Sequence, residues 1–164
     1  DITANHGGFS FHYGCPDPEM RTIASWLLTQ YEQRPRKLAK LIPALWKRHG
    51  REDLKLVGLL LANLSVEDIG EDPWIALIHL FGKQEPLEII LEIAEEMNRS
   101  GHDVPSDEWL IEMAKQSVLW HQIAMLFVSV RGECNDEIRP LVLTAPGGGE
   151  LFEKIRSRLL TQSN

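Results

Sequence analysis

Only two of the 164 residues are cysteine, Cys15 and Cys134, too few for the disulfide framework of a small secreted domain. A reducing, cytoplasmic setting is the expectation, with a single bridge left open. No apolar run approaches the ~18 residues needed to cross a bilayer. The longest, residues 56–62, contains Gly58, so neither a membrane span nor a membrane partner is expected. Residues 1–10 hold no basic region followed by an apolar stretch, and no signal peptide is expected. The first residue is Asp1 rather than methionine, which leaves a longer parent protein open. Positive charge is scarce: 17 Lys and Arg against 24 Asp and Glu leave a net charge of -7. Taken whole, that balance disfavours nucleic-acid binding, which needs a basic surface.

Recognisable catalytic and ligand motifs are equally sparse. His12 and Cys15 could begin a metal site, but no second pair completes it, so no metal or cofactor is expected. The run Gly147-Gly148-Gly149 lacks the Lys-Ser or Lys-Thr that follows in a phosphate loop and reads as a connector. No Ser/His/Asp or Cys/His arrangement can be picked out by spacing.

What is present is the composition of an ordinary globule, 43% hydrophobic and 25% charged, which excludes disordered and low-complexity classes. The length suits about one domain. Residues 1–15, rich in glycine and without a period, read as an arm; residues 16–164 read as one helical domain.

Apolar residues recur at helical spacing through most of that domain. Asp17-Pro18 starts a helix carrying Met20, Ile23, Ala24, Leu27, Leu28 and Tyr31. Leu38, Leu41, Ile42, Leu45 and Trp46 predict a second helix, kinked by Pro43 and ended by Gly50. Residues 54–64 are apolar nearly all round and predict a helix buried on more than one side. Short helices are expected after Pro73 and Pro86, the latter with Glu88, Glu92, Glu95 and Glu96 on its outer face. Ser106 should cap a helix through Trp109 and Met113, and another is expected around Trp120 to Val128. Pro140 and residues 146–149 read as loop before a final amphipathic helix through Leu151, Phe152, Ile155 and Leu159. Each has one apolar stripe and no strand is expected, so the helices must bury one another, as in a bundle or an α-solenoid. No strict internal repeat marks a solenoid by itself.

The net charge conceals an asymmetry. From Arg34 to Arg51 there are seven cations and no acid; from Val66 to Glu112 there are 13 acids against Lys83 and Arg99. Arg36, Lys40 and Lys47 recur at helical spacing, with Arg51 and Arg48 beside them. Such a stripe could hold phosphates, or simply be a solvated helix face. Of five tryptophans, Trp26 lies off its helix's apolar stripe and is the one expected to face outward, where an indole could stack on a base; the others read as core anchors.

Three stretches carry a resemblance. Phe11-His12-Tyr13-Gly14-Cys15-Pro16-Asp17-Pro18-Glu19-Met20-Arg21, Leu45-Trp46-Lys47-Arg48-His49-Gly50-Arg51-Glu52-Asp53-Leu54-Lys55 and Ser117-Val118-Leu119-Trp120-His121-Gln122-Ile123-Ala124 resemble the HEAT-like DNA alkylation-repair proteins, the alkylpurine DNA glycosylase family. Together they cover about residues 11–130. The resemblance implies an all-α HEAT-like superhelix of antiparallel helix pairs, with DNA as partner on a cationic concave side formed here by Arg36, Lys40, Lys47, Arg48 and Arg51. The chain departs from the family at its chemistry. Glycosylase members carry a tryptophan-rich patch with an aspartate, where this sequence reads Lys83-Gln84-Glu85-Pro86-Leu87-Glu88. Excision of an alkylated purine leaves a cationic sugar that a carboxylate must stabilise. Glu85 or Glu88 could supply it, and Asp72-Pro73-Trp74 sets one beside an indole, but neither reproduces the family's pattern. Two functions stay open: DNA binding with or without base excision, with Asp72 and Glu85 as candidate catalytic groups, and a non-enzymatic scaffold for a protein partner.

Overall fold

The computed structural model describes residues 17–162, and its elements are helices joined by turns, with no strand among the described residues. The arm expected at residues 1–15 lies outside them, as do His12 and Cys15. The chain divides into two compact units, one ending at His102 and one starting at Asp103.

In the first unit, α1 (Asp17–Gln30), α2 (Pro35–Ala39), α3 (Ile42–Arg48), α4 (Arg51–Asn63), α5 (Val66–Ile69), α6 (Pro73–Ile78) and α7 (Leu87–Arg99) follow one another. The centre is α4, which packs on α1, α3, α6 and α7. Residues 52–62 of α4 are all buried, as the unbroken apolar run requires. Gly58 makes the α4–α7 contact close: a Cβ there would stand 2.7 Å from Ile93 Cγ1.

The expected kinked helix is instead two helices. Pro43 lacks the N–H that would bond to the Ala39 carbonyl, and its ring crowds the preceding turn. The chain therefore leaves α2 at Lys40, and Pro43 falls in the first turn of α3, where a missing donor costs nothing. Leu41, placed on the apolar stripe by periodicity, is 41% exposed at this break. Ile23 is exposed as well, because α1 presents only Met20 and Ala24 to the interior, with Leu27 and Leu28 half-buried. A single turn, α5, arises where Ser65 Oγ accepts from the Asp68 amide and Gly70, at φ 94°, ends it; four residues are too few for a period to register.

In the second unit, α8 (Asp107–Ala114), α10 (Arg139–Thr144) and α11 (Glu150–Leu160) pack on α9 (Val118–Arg131), whose residues 123–128 are buried. Ser106 caps α8 as expected, accepting from the Trp109 amide, and Ser117 does the same for α9 at Trp120. Pro140, expected in a loop, instead sits in the first turn of α10. Arg156 reaches from α11 to the end of α10 and donates to the carbonyls of Val142, Leu143 and Ala145 at 2.7, 3.1 and 2.6 Å. Those carbonyls have no helical partner of their own. Leu151 remains 43% exposed, outside the seam made by Phe152, Ile155 and Leu159.

Candidate functional site

The cationic stretch occupies α2, α3 and the turn into α4. Leu38 turns inward from α2, and Ile42 and Trp46 turn inward from α3. The side chains between them are driven outward by the same period: Arg36, Lys37, Lys40, Lys47 and Arg48 are exposed and Arg51 is half-buried. Arg48 Nε lies 3.5 Å from Asp53 Oδ2. Among the described residues, Arg36, Lys37, Lys40 and Lys47 make no ion pair. Arg34 lies over the Tyr31 ring, 5.3 Å from its centroid. Trp26 points away from the core of α1 with 60% of its surface exposed, next to the exposed Ile23 one turn earlier.

The acidic residues contrast with them. Glu92 pairs with Lys55, Glu96 with Arg21 and Arg99, Glu71 with His79, Glu112 with Lys115, and Asp107 with Arg131. The Arg21 guanidinium donates to both oxygens of Glu96, at 3.2 and 2.6 Å. Chiefly through these bonds, the Glu96 carboxyl is held below the usual carboxylate range. Of these residues, Arg21, Lys55, Glu92, Glu96 and Arg99 line a cavity of about 110 Å³ between α1, α4 and α7, together with Met20, Gly58, Leu59 and Ile93.

The two candidate catalytic carboxylates have separate local employment. Asp72 caps α6, its Oδ1 accepting from the Trp74 amide at 2.8 Å. The neighbouring Trp74 indole is fully buried and donates to the His102 carbonyl at 3.1 Å. It is a core anchor and not a platform facing a substrate. Glu85 is buried, with 1% of its side chain exposed. Its Oε2 accepts from the Gly82 amide at 2.7 Å and from Trp46 Nε1 at 3.2 Å. Its Oε1 lies 3.2 Å from His49 Nε2. Burial pushes the Glu85 carboxyl above the usual carboxylate range, opposed by the Gly82 amide, the Trp46 indole and His49. Glu88 is exposed on the outer face of α7.

Three partners of Glu85 carried no sequence signal. Trp46 packs against the rings of Phe81 and His49, each with centroids 5.9 Å apart. His49 ends α3 in the left-handed conformation, φ 61°, a place that glycine or asparagine fills more often. Gly82 offers its amide from a turn 33 residues further along. No group of three or more His, Cys, Asp or Glu side chains able to hold a metal ion occurs among the described residues, and no helix there is long and apolar enough to cross a membrane. Comparison of the chain with protein-family models, with curated proteins and with solved structures finds no match.

Proposed function

We propose that this chain is a HEAT-like helical module, related to the DNA alkylation-repair proteins, that binds nucleic acid through Arg36, Lys40, Lys47, Arg48 and Arg51. One observation carries the reading: in an acidic chain, Arg36, Lys40 and Lys47 stand exposed without an acidic partner among the described residues. Unpaired surface cations attract counterions, and a polyanion that displaces those counterions gains their release. Trp26, exposed on the neighbouring α1, adds an aromatic face suited to stacking on a base. Binding is favoured over base excision because the two available carboxylates already serve the fold, Asp72 as a helix cap and Glu85 as a buried acceptor.

Fluorescence anisotropy with labelled duplex DNA across a salt series tests this. About four phosphate contacts give a slope near -3.6 in log affinity against log salt, or roughly 100-fold weakening between 50 and 200 mM. Lys40→Glu combined with Arg51→Glu should reduce the slope and abolish tight binding. Salt-independent affinity, or affinity unchanged in the double variant, overturns the reading. Methylated duplex incubated with the protein should release no free purine; release that Glu85→Gln or Asp72→Asn abolishes would restore excision.

A scaffold for a protein partner is the second reading, favoured by the exposed pair Ile23 and Trp26 on one side of α1. A stoichiometric protein complex lost in Trp26→Ala, from a chain that ignores DNA at low salt, would replace the first reading with this one.

A further inference from the structure

The cavity between α1, α4 and α7 joins an apolar wall to charges of both signs. Met20, Leu59 and Ile93, each buried, supply the wall. Its volume of about 110 Å³ approaches the roughly 150 Å³ that admits benzene in an engineered cavity. The charges around it are unevenly matched. At one end Lys55 Nζ lies 3.5 Å from Glu92 Oε2, with the Lys55 side chain 8% and the Glu92 side chain 49% exposed. Glu95, three residues further along α7, is exposed and makes no ion pair among the described residues. Lys55 offsets one of these two carboxylates, so this end lacks one positive charge. At the other end one carboxylate serves two guanidiniums: Glu96 accepts from Arg21 through both oxygens, and its Oε1 also accepts from Arg99 Nη2 at 2.9 Å. Arg99 spends one of its five N–H groups there, with 60% of its side chain exposed. A glutamate four residues before an arginine is the favoured order for a helical pair, yet Arg99 turns to Glu96 and Glu95 stays without a cation.

We propose that this cavity binds a small zwitterion, an ω-amino carboxylate whose ammonium meets Glu92 and Glu95, whose carboxylate meets Arg99, and whose short alkyl chain lies on Met20, Leu59 and Ile93. A ligand of one charge answers one end of this lining and presents hydrocarbon to the other, displacing water from a charged group without replacing it. Spacing decides between zwitterions. Glu95 and Arg99 stand one turn apart on α7, about 6 Å along the axis. In an α-amino acid the ammonium nitrogen and the carboxylate carbon are only about 2.5 Å apart, because a single carbon joins them. In extended 5-aminopentanoate the same two atoms are about 6 Å apart. Its amine and its carboxyl resemble those of lysine and glutamate, so both are ionised at about pH 7. The inference is independent of what the cationic stretch binds.

Methyl carbon-13 spectra of Met20 and Ile93, titrated with 5-aminopentanoate, read the cavity directly. Saturable shifts with a dissociation constant of about 1 mM are expected, modest for a molecule of about eight heavy atoms. Its isomer norvaline, with the amine moved to the α carbon, reaches only one end of the lining, as do the single-charge analogues pentanoate and pentylammonium. Each should bind about tenfold more weakly or worse, for want of one charge-assisted bond. Glu95→Gln and Arg99→Gln, both at exposed positions, should each weaken 5-aminopentanoate about tenfold while the circular-dichroism spectrum stays that of the unaltered protein. The proposal is overturned if neither methyl shifts at about ten times the expected dissociation constant. It is equally overturned if norvaline or a single-charge analogue binds as tightly, or if either variant binds like the unaltered protein.

Discussion

Replacing Gly58 by alanine tests how the first unit is held together. An exposed mid-helix glycine gains about 1 kcal/mol on becoming alanine, because the unfolded chain loses freedom. Here the added methyl would stand 2.7 Å from Ile93 Cγ1 and 3.3 Å from both Ile93 Cβ and Cγ2. Rotating Ile93 relieves the first contact but leaves the Cβ where it is, and Ile93 is only 2% exposed. Helices α4 and α7 must therefore part slightly, an overpacking cost of about 3 kcal/mol at the upper end of the usual range. Net destabilisation of about 2 kcal/mol is expected, against the gain that helix propensity alone would give. Ile93→Ala by itself should cost about 3 kcal/mol through lost burial and a cavity. In the double variant each change makes room for the other. Its cost should stay near 3 kcal/mol instead of the 5 expected from independence, a coupling of about 2 kcal/mol that is ordinary for touching residues. Urea unfolding of the four proteins, followed by tryptophan fluorescence with a common m value, closes the cycle. Additivity within about 0.5 kcal/mol, or a stabilised Gly58→Ala, would refute the argument that this glycine sets the α4–α7 spacing.

In the second unit, Arg156→Ala should cost about 2–4 kcal/mol in urea unfolding, because one guanidinium satisfies three carbonyls at the end of α10. Arg156→Lys keeps the charge but not the fork and should recover less than half of that loss; full recovery would make the contact one of charge alone. The depressed Glu96 carboxyl predicts behaviour in acid: a group whose folded value lies below its unfolded one contributes stability that is present above about pH 4.3 and disappears as pH falls through the folded value. Between pH 6 and pH 3 the urea midpoint should therefore fall further in the unaltered protein than in Glu96→Gln, and parallel curves would show that Arg21 confers nothing through this group.

The long helices were legible because two signals agreed in each. For α4, α7, α8 and α9 an apolar stripe or run coincided with a proline, serine or glycine at the boundary, and tertiary burial followed the stripe. The short helix after Pro73 was legible too, but four other short elements were not, for an equally definite reason. In α2, α3, α5 and α10 the boundary residue outweighs the period: a proline breaks one expected helix and starts another, and a serine with a glycine encloses a single turn. Stripe membership also overstated burial at Ile23, Leu41 and Leu151, since a helix end or a neighbour that covers only part of a face leaves the stripe's edge in water. Among site residues, the cations were legible from composition, and exposure follows wherever Leu38, Ile42 and Trp46 claim the inner face. The Glu85 cluster was not, because Glu85 meets Trp46 and His49 from 39 and 36 positions away, beside a left-handed His49 that no local preference announces.

Net charge is a poor guide to such a surface, and the pairing pattern says why. At physiological salt a charge is felt over about 8 Å, so a patch responds to its immediate neighbours and hardly to the total of -7. Acids that already hold a cation, such as Glu92 with Lys55 and Glu96 with Arg21 and Arg99, contribute mostly short-ranged dipoles. Arg36, Lys40 and Lys47 keep their full charge toward solvent because no acid has been placed to neutralise them among the described residues. An acidic chain can thus present a locally positive face, and its affinity for a polyanion should follow the number of unpaired cations. Placing an acid one helical turn from a cation, as in Ala44→Glu three residues from Lys47 within α3, should lower the salt slope of DNA binding by about 1 unit through local neutralisation. The same charge change at Asn98→Asp, exposed in the last turn of α7, should leave the slope unaltered. If both substitutions shifted the slope equally, the total charge and not the local pairing would govern binding.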